Sequence, residues 1–138
     1  MVVPKFRAWD RTRNEWSNSF FIYSEGGLYT PNYGFDRKHL KKRTDVYPIV
    51  KQERFILMQS TGLFDKNGKE IFEGDVVKIV EENGDSEISA VAFKDGAFGM
   101  TIIEIFVPFA AMSILRVDYT LEVIGNIYEN LELVEGQS

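Results

Sequence analysis

At 138 residues, with 44% hydrophobic and 14% aromatic residues, the chain is large and apolar enough to bury one core, which excludes intrinsic disorder. It contains no cysteine, no apolar run of the roughly 20 residues that cross a bilayer and no secretion signal at its start, so we expect a cytoplasmic protein with no membrane segment. The net charge of −5 is unevenly distributed along the chain. Residues 1–60 contain eleven basic and six acidic residues, hence +5, which leaves −10 for residues 61–138. The basic part can therefore bind an anionic partner or the acidic part of another copy.

An N-terminal β-hairpin is the first predicted element. The stretch KFRAWD (residues 5–10) alternates polar and apolar side chains, a turn follows, and EWSNSFFIY (residues 15–23) resumes strand-type residues. We expect core packing for most aromatic residues here, whereas any that stay exposed would mark a contact surface, because aromatics are enriched at interface hot spots. The interface candidates are Trp9, Trp16, Phe20 and Tyr23.

Residues 24–50 are punctuated by glycine and proline, which predicts loop structure with at most one short helix. Within them the stretch RKHLKKR (residues 37–43), here called the basic segment, holds five full positive charges among seven residues, with aromatic residues on both sides. Such a segment can contact phosphates while the rings stack on bases; the alternative is a solvated surface that pairs with the acidic half of another subunit. The candidate nucleic-acid contacts are Arg37, Lys38, Lys41, Lys42 and Arg43.

The middle of the chain predicts a buried strand followed by two bends. The strand is ERFILMQSTGLF (residues 53–64), and DKNG (residues 65–68) has the composition of a type I turn with glycine in the left-handed position, joining the strand to KEIF (residues 69–72) as a hairpin. A second bend, EGD (residues 73–75), leads into VVKIV (residues 76–80), whose β-branched side chains favour a strand.

Short β-type runs separated by turn residues continue to the end of the chain. They follow the turn EENGD (residues 81–85) and are SEISAVAFK (residues 86–94), FGMTIIEIFV (residues 98–107) and YTLEVIGNIY (residues 119–128). PFAAMSILRVD (residues 108–118) separates the last two runs, and NIYENLELV (residues 126–134) fits either a short helix or a final strand. This pattern predicts a mainly β fold (β-rich α+β) with little helix, in which residues 1–60 and residues 61–138 pack together as one globular unit.

Four carboxylates gather around residue 70, and their simplest role is turn chemistry, because short acidic side chains at turns accept hydrogen bonds from neighbouring backbone N–H groups. Strand alternation places Glu70 and Glu73 on opposite faces, which disfavours a catalytic pair. A calcium loop fails because Lys69 and Val76 stand where oxygen ligands are needed, and the single His39 lies among cations that would repel a metal ion. We therefore predict no catalytic, metal-binding or cofactor-binding residues.

Three stretches together resemble the YopX family of phage and prophage proteins. They are KFRAWD (residues 5–10), LMQSTGLFDKNGKEIFEGDVVKI (residues 57–79) and EVIGNIYENLEL (residues 122–133). The resemblance implies a small, β-rich, phage-associated protein, with an SH3-like antiparallel barrel built around the strand entry at residues 74–77 and the N-terminal part packed against it. It brings no catalytic residues with it.

Three functions are compatible with these features. The first is a non-enzymatic phage or prophage accessory protein that self-associates in the bacterial host cell and presents a surface to another protein of the phage or host. The second is a nucleic-acid-binding module that uses the basic segment. The third is an enzyme such as a hydrolase, which would need carboxylates among Asp65, Glu70, Glu73 and Asp75 to converge in one pocket. We favour the first and expect no enzymatic activity.

Overall fold

The computed structural model describes residues 4–17, 20–22, 28–31, 35–36, 41–42, 46–48, 55–114 and 118–134. The chain forms two compact units: unit 1 comprises Met1–Phe6 together with Met58–Ser138, and unit 2 comprises Arg7–Leu57. The first six residues therefore belong with the C-terminal part. The predicted packing of residues 1–60 and 61–138 into one globular unit stays a prediction.

Strands dominate the described residues. They are β1 (Phe6–Asp10), β2 (Glu15–Ser17), β3 (Phe21–Ile22), β4 (Leu28–Pro31), β5 (Phe35–Asp36), β6 (Lys41–Lys42), β7 (Val46–Pro48), β8 (Phe55–Phe64), β9 (Glu70–Phe72), β10 (Asp75–Glu81), β11 (Ser86–Lys94), β12 (Ala97–Ile102), β13 (Ile105–Pro108) and β14 (Tyr119–Asn126), with an α-helix α1 (Phe109–Ile114) and a 3-10 helix (Leu131–Leu133). The mainly β prediction, with little helix, is confirmed. The closer likeness to an SH3 barrel stays a prediction.

Unit 2 contains short antiparallel pairs. The predicted N-terminal hairpin is present as β1 and β2, in which Trp9 lies opposite Trp16. Strand β4 pairs with both β3 and β7, and β5 pairs with β6. The sequence predicts loop or one short helix for residues 24–50, whereas the described parts of this stretch are strands of two to four residues. Such short strands carry too few residues for an alternating hydrophobic pattern to be visible.

Unit 1 is built on a five-stranded antiparallel sheet in the order β13-β12-β11-β10-β14. Strand β10 lies between β11 and β14, and it is buried on both faces near its start, where Val76 and Val77 are fully buried. Helix α1 begins directly after Pro108 and places Phe109 and Met112, three positions apart, on its core-facing side. The buried core consists of Ile71, Val77, Ile79, Val91, Met100, Phe109, Met112 and Leu121.

Strand β8 carries an irregularity where it pairs with β9. Ser60 lies opposite Phe72 and Phe64 lies opposite Glu70, so three residues of β8 face one residue of β9. Gly62 adopts φ +78° inside this bulge, a conformation that glycine takes without steric cost. The Thr61 hydroxyl donates to the Ile71 carbonyl at 2.7 Å, so a side chain replaces a lost ladder bond.

One predicted strand was wrong. The run FGMTIIEIFV, taken as a single strand, folds as two strands, β12 and β13, joined by a two-residue turn at Ile103 and Glu104. Both turn residues have positive φ, 50° and 65°, as a type I′ turn requires. The turn was invisible in the sequence because neither residue is the glycine, asparagine or aspartate that such turns prefer. At the C-terminus, the alternatives of helix or strand resolve to β14 followed by the 3-10 helix.

Candidate functional site

The carboxylate of Asp65 is buried inside the turn that the sequence predicts. Its Oδ1 accepts hydrogen bonds from the backbone N–H groups of Asn67 at 2.9 Å and Lys69 at 2.8 Å. Its Oδ2 accepts a third from the backbone N–H of Val123 on β14, also at 2.9 Å. Gly68 closes the turn at φ +81°. The side chain thus organises its own turn and ties that turn to a distant strand.

These contacts set the ionisation of Asp65. Burial alone would raise its pKa, but the three backbone hydrogen bonds from Val123, Lys69 and Asn67, with the positive charge of Lys69, outweigh burial and hold the pKa below the usual value for aspartate. The carboxyl is therefore charged at neutral pH. A general acid would need the opposite shift, because it must carry a proton near pH 7.

Glu70 is held in a different way. The ammonium of Lys5 lies 3.0 Å from its Oε1, and this hydrogen bond is the main reason that the pKa of Glu70 is lowered, against the opposing effect of burial. The Ser60 hydroxyl and the charge of Lys5 lower it further. A backbone bond from Ser60 N–H to the Lys5 carbonyl, 2.8 Å, holds the N-terminal segment in the same place. Glu70 therefore fastens residues 4–6 to the rest of unit 1.

Glu73 and Asp75 stabilise the second bend, residues 73–75. Glu73 Oε1 accepts a hydrogen bond from the backbone N–H of Gln59 at 3.1 Å, and Asp75 Oδ2 accepts one from Phe72 at 2.8 Å. Between them Gly74 has φ +83°, and a Cβ on it would lie 2.9 Å from Met58 Sδ. The bend therefore needs glycine for its dihedral angle, and a side chain there would also displace the Met58 side chain.

Each of the four acids accepts a hydrogen bond that stabilises local structure. Three of them bind backbone N–H groups and the fourth binds an ammonium, as described above. Within the ranges that the structure describes, no three acidic or histidine side chains are grouped as a metal ion would need. The interpretation as turn chemistry agrees with this geometry for Asp65 and Asp75, whereas Glu70 and Glu73 bind partners elsewhere in the sequence.

The basic segment falls largely on residues that are not described. Arg37, Lys38, His39 and Arg43 lie outside the described residues. Lys41 and Lys42 form β6, where they lie opposite Asp36 and Phe35 of β5. A two-stranded ribbon thus holds the backbone of these two cations in an extended conformation.

The interface candidates of the N-terminal hairpin differ in exposure. Trp9 is only 5% exposed, and its ring meets that of Trp16 edge to face with centroids 4.9 Å apart. Trp16 and Phe20 are half-buried, and the Arg7 guanidinium lies 4.4 Å from the centre of the Trp16 ring. Tyr23 lies outside the described residues. Of the three candidates that the structure describes, Trp16 and Phe20 keep surface that a partner could reach.

A groove on unit 1 was missed by sequence reasoning. It has a volume of about 770 Å³ and lies across β11 and β12 beside the turn at Ile103 and Glu104. Ile103 is 77% exposed and Ile105 is 66% exposed, the largest exposures among the large hydrophobic side chains that the structure describes. The available signal was the run IIEI, which is too apolar for an ordinary solvent-facing turn.

The sequence model of the YopX protein family matches residues 5–135, almost the whole chain. A curated relative, the SPbeta prophage-derived uncharacterized protein YopX of Bacillus subtilis strain 168, is 37% identical over 71 residues. That alignment covers 50% of this chain and 53% of the relative, so the matched part spans about half the length of each.

Two crystal structures have similar folds. Protein EF1440 from Enterococcus faecalis superposes with a TM-score of 0.60 at 27% identity, covering 98% of this chain and 100% of that one. Protein yopX from Bacillus subtilis superposes with a TM-score of 0.57 at 24% identity, covering 94% of this chain and 97% of that one. The second likeness concerns the fold alone.

Proposed function

This chain belongs to the YopX family, and from that premise we propose that it is a non-enzymatic, phage- or prophage-associated protein that self-associates and presents a contact surface to other proteins. The prophage origin named for the Bacillus subtilis relative supports the phage association. No helix among the described residues is long and apolar enough to cross a membrane. We propose the bacterial cytoplasm as the site of action and an SH3-like barrel as the closer description of unit 1.

The observation that carries self-association is the opposite charge of two parts of one chain, +5 for residues 1–60 and −10 for residues 61–138. Copies of such a chain attract one another when the basic part of one meets the acidic part of the next. Exposed apolar side chains on unit 1 also favour association, because a contact removes their surface from water. They include Phe64, Phe93, Ile103 and Ile105.

The hydrogen bonds that Asp65, Glu70, Glu73 and Asp75 accept support a non-enzymatic role. Asp65 and Glu70 are held ionised by hydrogen bonds, and Asp75 is only 2% exposed. A hydrolase that used these groups would have to break the bonds that shape the turn and the bend at residues 65–75 before it could bind substrate. A contact function makes no such demand.

The test is the molar mass in solution, measured by size-exclusion chromatography with light scattering at several protein and salt concentrations. We expect an oligomer at low salt whose dissociation constant rises as salt increases, because screening weakens attraction between exposed charges. A strictly monomeric protein at high concentration and at every salt concentration would overturn self-association.

Nucleic-acid binding through the basic segment is the second candidate, and the density of five cations in seven residues favours it. Fluorescence anisotropy with single- and double-stranded probes tests it. Affinity should fall steeply with salt, with a logarithmic slope set by the number of phosphates neutralised. No measurable affinity at low salt removes this candidate.

A further inference from the structure

The groove across β11 and β12 is lined by both apolar and acidic residues. Small and apolar residues contribute to the lining, among them Ile88, Ala90 and Ala92, together with Glu87 and Glu104. Its volume of about 770 Å³ lies in the range of clefts that enclose a ligand or several side chains, about 300–1,000 Å³. The groove can therefore cover the apolar stems of long side chains and meet their charged ends.

A second, smaller groove of about 320 Å³ continues the first and shares Glu87 and Ile103 with it. Glu81 and Asp85 line this extension. Among the described residues that line the two grooves, four are acidic and none is lysine or arginine. The field inside is therefore negative, which favours a cationic occupant and repels nucleic acid.

The wall of the groove is held in an unfavourable backbone conformation. Ile103 has φ +50°, which is rare for a β-branched residue, and Glu104 has φ +65°. Glu87 Oε1 accepts the Ile103 N–H at 2.9 Å, so a residue that lines the groove helps to fix the turn. The result is that an isoleucine, 77% exposed, stands between two glutamates. Strain of this kind collects at functional sites.

We propose that this groove binds the basic segment (residues 37–43) of a second copy of the chain. The complementarity is chemical: the segment has five cations with long aliphatic stems around one leucine, and the groove is lined by apolar side chains and carboxylates. Lys41 and Lys42 already lie on a β-ribbon, so their backbone is extended before binding. This proposal rests on the proposed self-association and names the two surfaces that form the contact between copies.

The first experiment compares Glu87→Gln combined with Glu104→Gln against the wild type by sedimentation or light scattering. Glutamine at position 87 keeps an oxygen for the Ile103 N–H, so the turn stays intact while two negative charges are lost. We expect the dissociation constant of the oligomer to rise about 10- to 100-fold. The matched control, Asp118→Asn combined with Glu129→Gln, removes two exposed charges outside the groove and should change it less than about threefold.

The second experiment uses charge reversal in mixtures. A chain with Glu81→Lys and Glu104→Lys, which leaves the Glu87 acceptor in place, and another with Lys41→Glu and Lys42→Glu, should each be monomeric alone, and an equimolar mixture should assemble. Assembly of the mixture also distinguishes a contact between copies from one within a single chain, since a contact within one chain would give monomers throughout. Far-ultraviolet circular dichroism of every variant checks that it is folded.

The outcomes separate the two proposals. A wild type that is monomeric under all conditions overturns self-association and the groove together. A wild type that assembles, with groove variants that match the control pair, overturns the groove and leaves self-association standing. Reversed chains that fail to assemble when mixed, although each is folded, also overturn the groove.

Discussion

Asp65 Oδ2 accepts the backbone N–H of Val123 at 2.9 Å, although 58 positions separate the two residues in the sequence. Strand β14 is the edge of the five-stranded sheet, so this N–H would otherwise face solvent. The neighbouring Lys66 N–H donates to the Leu121 carbonyl at 2.9 Å. The turn therefore makes two hydrogen bonds to this edge strand. One side chain thus closes a hairpin turn and covers an open strand.

Replacing this side chain should be costly. In Asp65→Ala three backbone N–H groups lose a charged acceptor, and we expect the free energy of unfolding to fall by about 2–4 kcal/mol. Urea denaturation followed by circular dichroism measures this loss. The control is Asp85→Ala in the exposed turn between β10 and β11, where the carboxylate accepts from the Asn83 amide at 3.1 Å. A loss of more than about 1 kcal/mol in Asp85→Ala, or an equal loss in both variants, would contradict this role of Asp65.

The ion pair beside this turn should contribute little. Lys66 Nζ lies 3.2 Å from Glu122 Oε2, but the two side chains are 46% and 38% exposed, so water screens their attraction. We expect a coupling energy below about 0.5 kcal/mol in a double-mutant cycle with Lys66→Ala and Glu122→Ala. The backbone bond of Lys66 is unaffected by these substitutions. A coupling above about 1.5 kcal/mol would show that the ion pair itself fastens the turn.

Stability should fall in acid because of Asp65 and Glu70. The folded-state pKa of each is lowered, so the unfolded chain, with ordinary values near 3.9 and 4.3, binds more protons in acid than the folded chain does. Their contribution is fully present above about pH 5 and is lost as pH falls through the folded values. Urea unfolding between pH 7 and pH 3 measures the fall. Asp65→Asn should make it shallower, and an unchanged slope in that variant would contradict the assignment.

Gly99 should not tolerate a side chain. A Cβ there would lie 2.3 Å from the Val107 carbonyl oxygen and 2.8 Å from Pro108 Cα, both backbone atoms that cannot rotate away. We expect Gly99→Ala to destabilise unit 1 by about 2–3 kcal/mol by forcing β12 and β13 apart. Thr101→Ala, an exposed position of the same strand, should cost less than about 1 kcal/mol. Thermal unfolding compares the two, and similar losses would contradict the steric explanation.

Relieving the backbone strain of the turn at Ile103 and Glu104 should raise stability and weaken self-association. Ile103→Asn combined with Glu104→Gly installs the pair that type I′ turns prefer, so the free energy of unfolding should rise by about 1–2 kcal/mol. The same change removes the exposed isoleucine and one of the negative charges that line the groove, so self-association should weaken. The turn at Asp95 and Gly96, with φ 52° and 80°, shows the preferred chemistry already in place. A variant that loses stability would contradict the strain, and one that assembles as tightly as the wild type would contradict the groove.

Local turn chemistry was readable from the sequence. The turn at residues 65–68 and the bend at Gly74 were predicted because aspartate and glycine occupy positions where their own backbone geometry decides the structure. Strand β11 also coincides with its predicted run, residues 86–94, since turn residues bound it on both sides. These features depend on neighbours a few positions away.

Features set by distant contacts were not readable. Nothing near Asp65 in the sequence identifies Val123 as its third donor. Helix α1 lies in a stretch taken only as a separator, and it forms where Phe109 and Met112 fill the core. The turn at Ile103 and Glu104 exists because both flanking strands pair, in spite of its unfavourable residues. The groove followed from that turn, so it escaped prediction as well.

Residues 4–6 belong to unit 1, where the Lys5 carbonyl accepts the Ser60 N–H and the Lys5 ammonium pairs with Glu70. On a ribosome Lys5 is made well before Ser60 and Glu70, and β14, which receives the Asp65 turn, is made later still. Unit 1 can therefore close only after β14 has been synthesised, so its earlier strands wait for their partners at the stage when exposed strand edges are prone to wrong pairings.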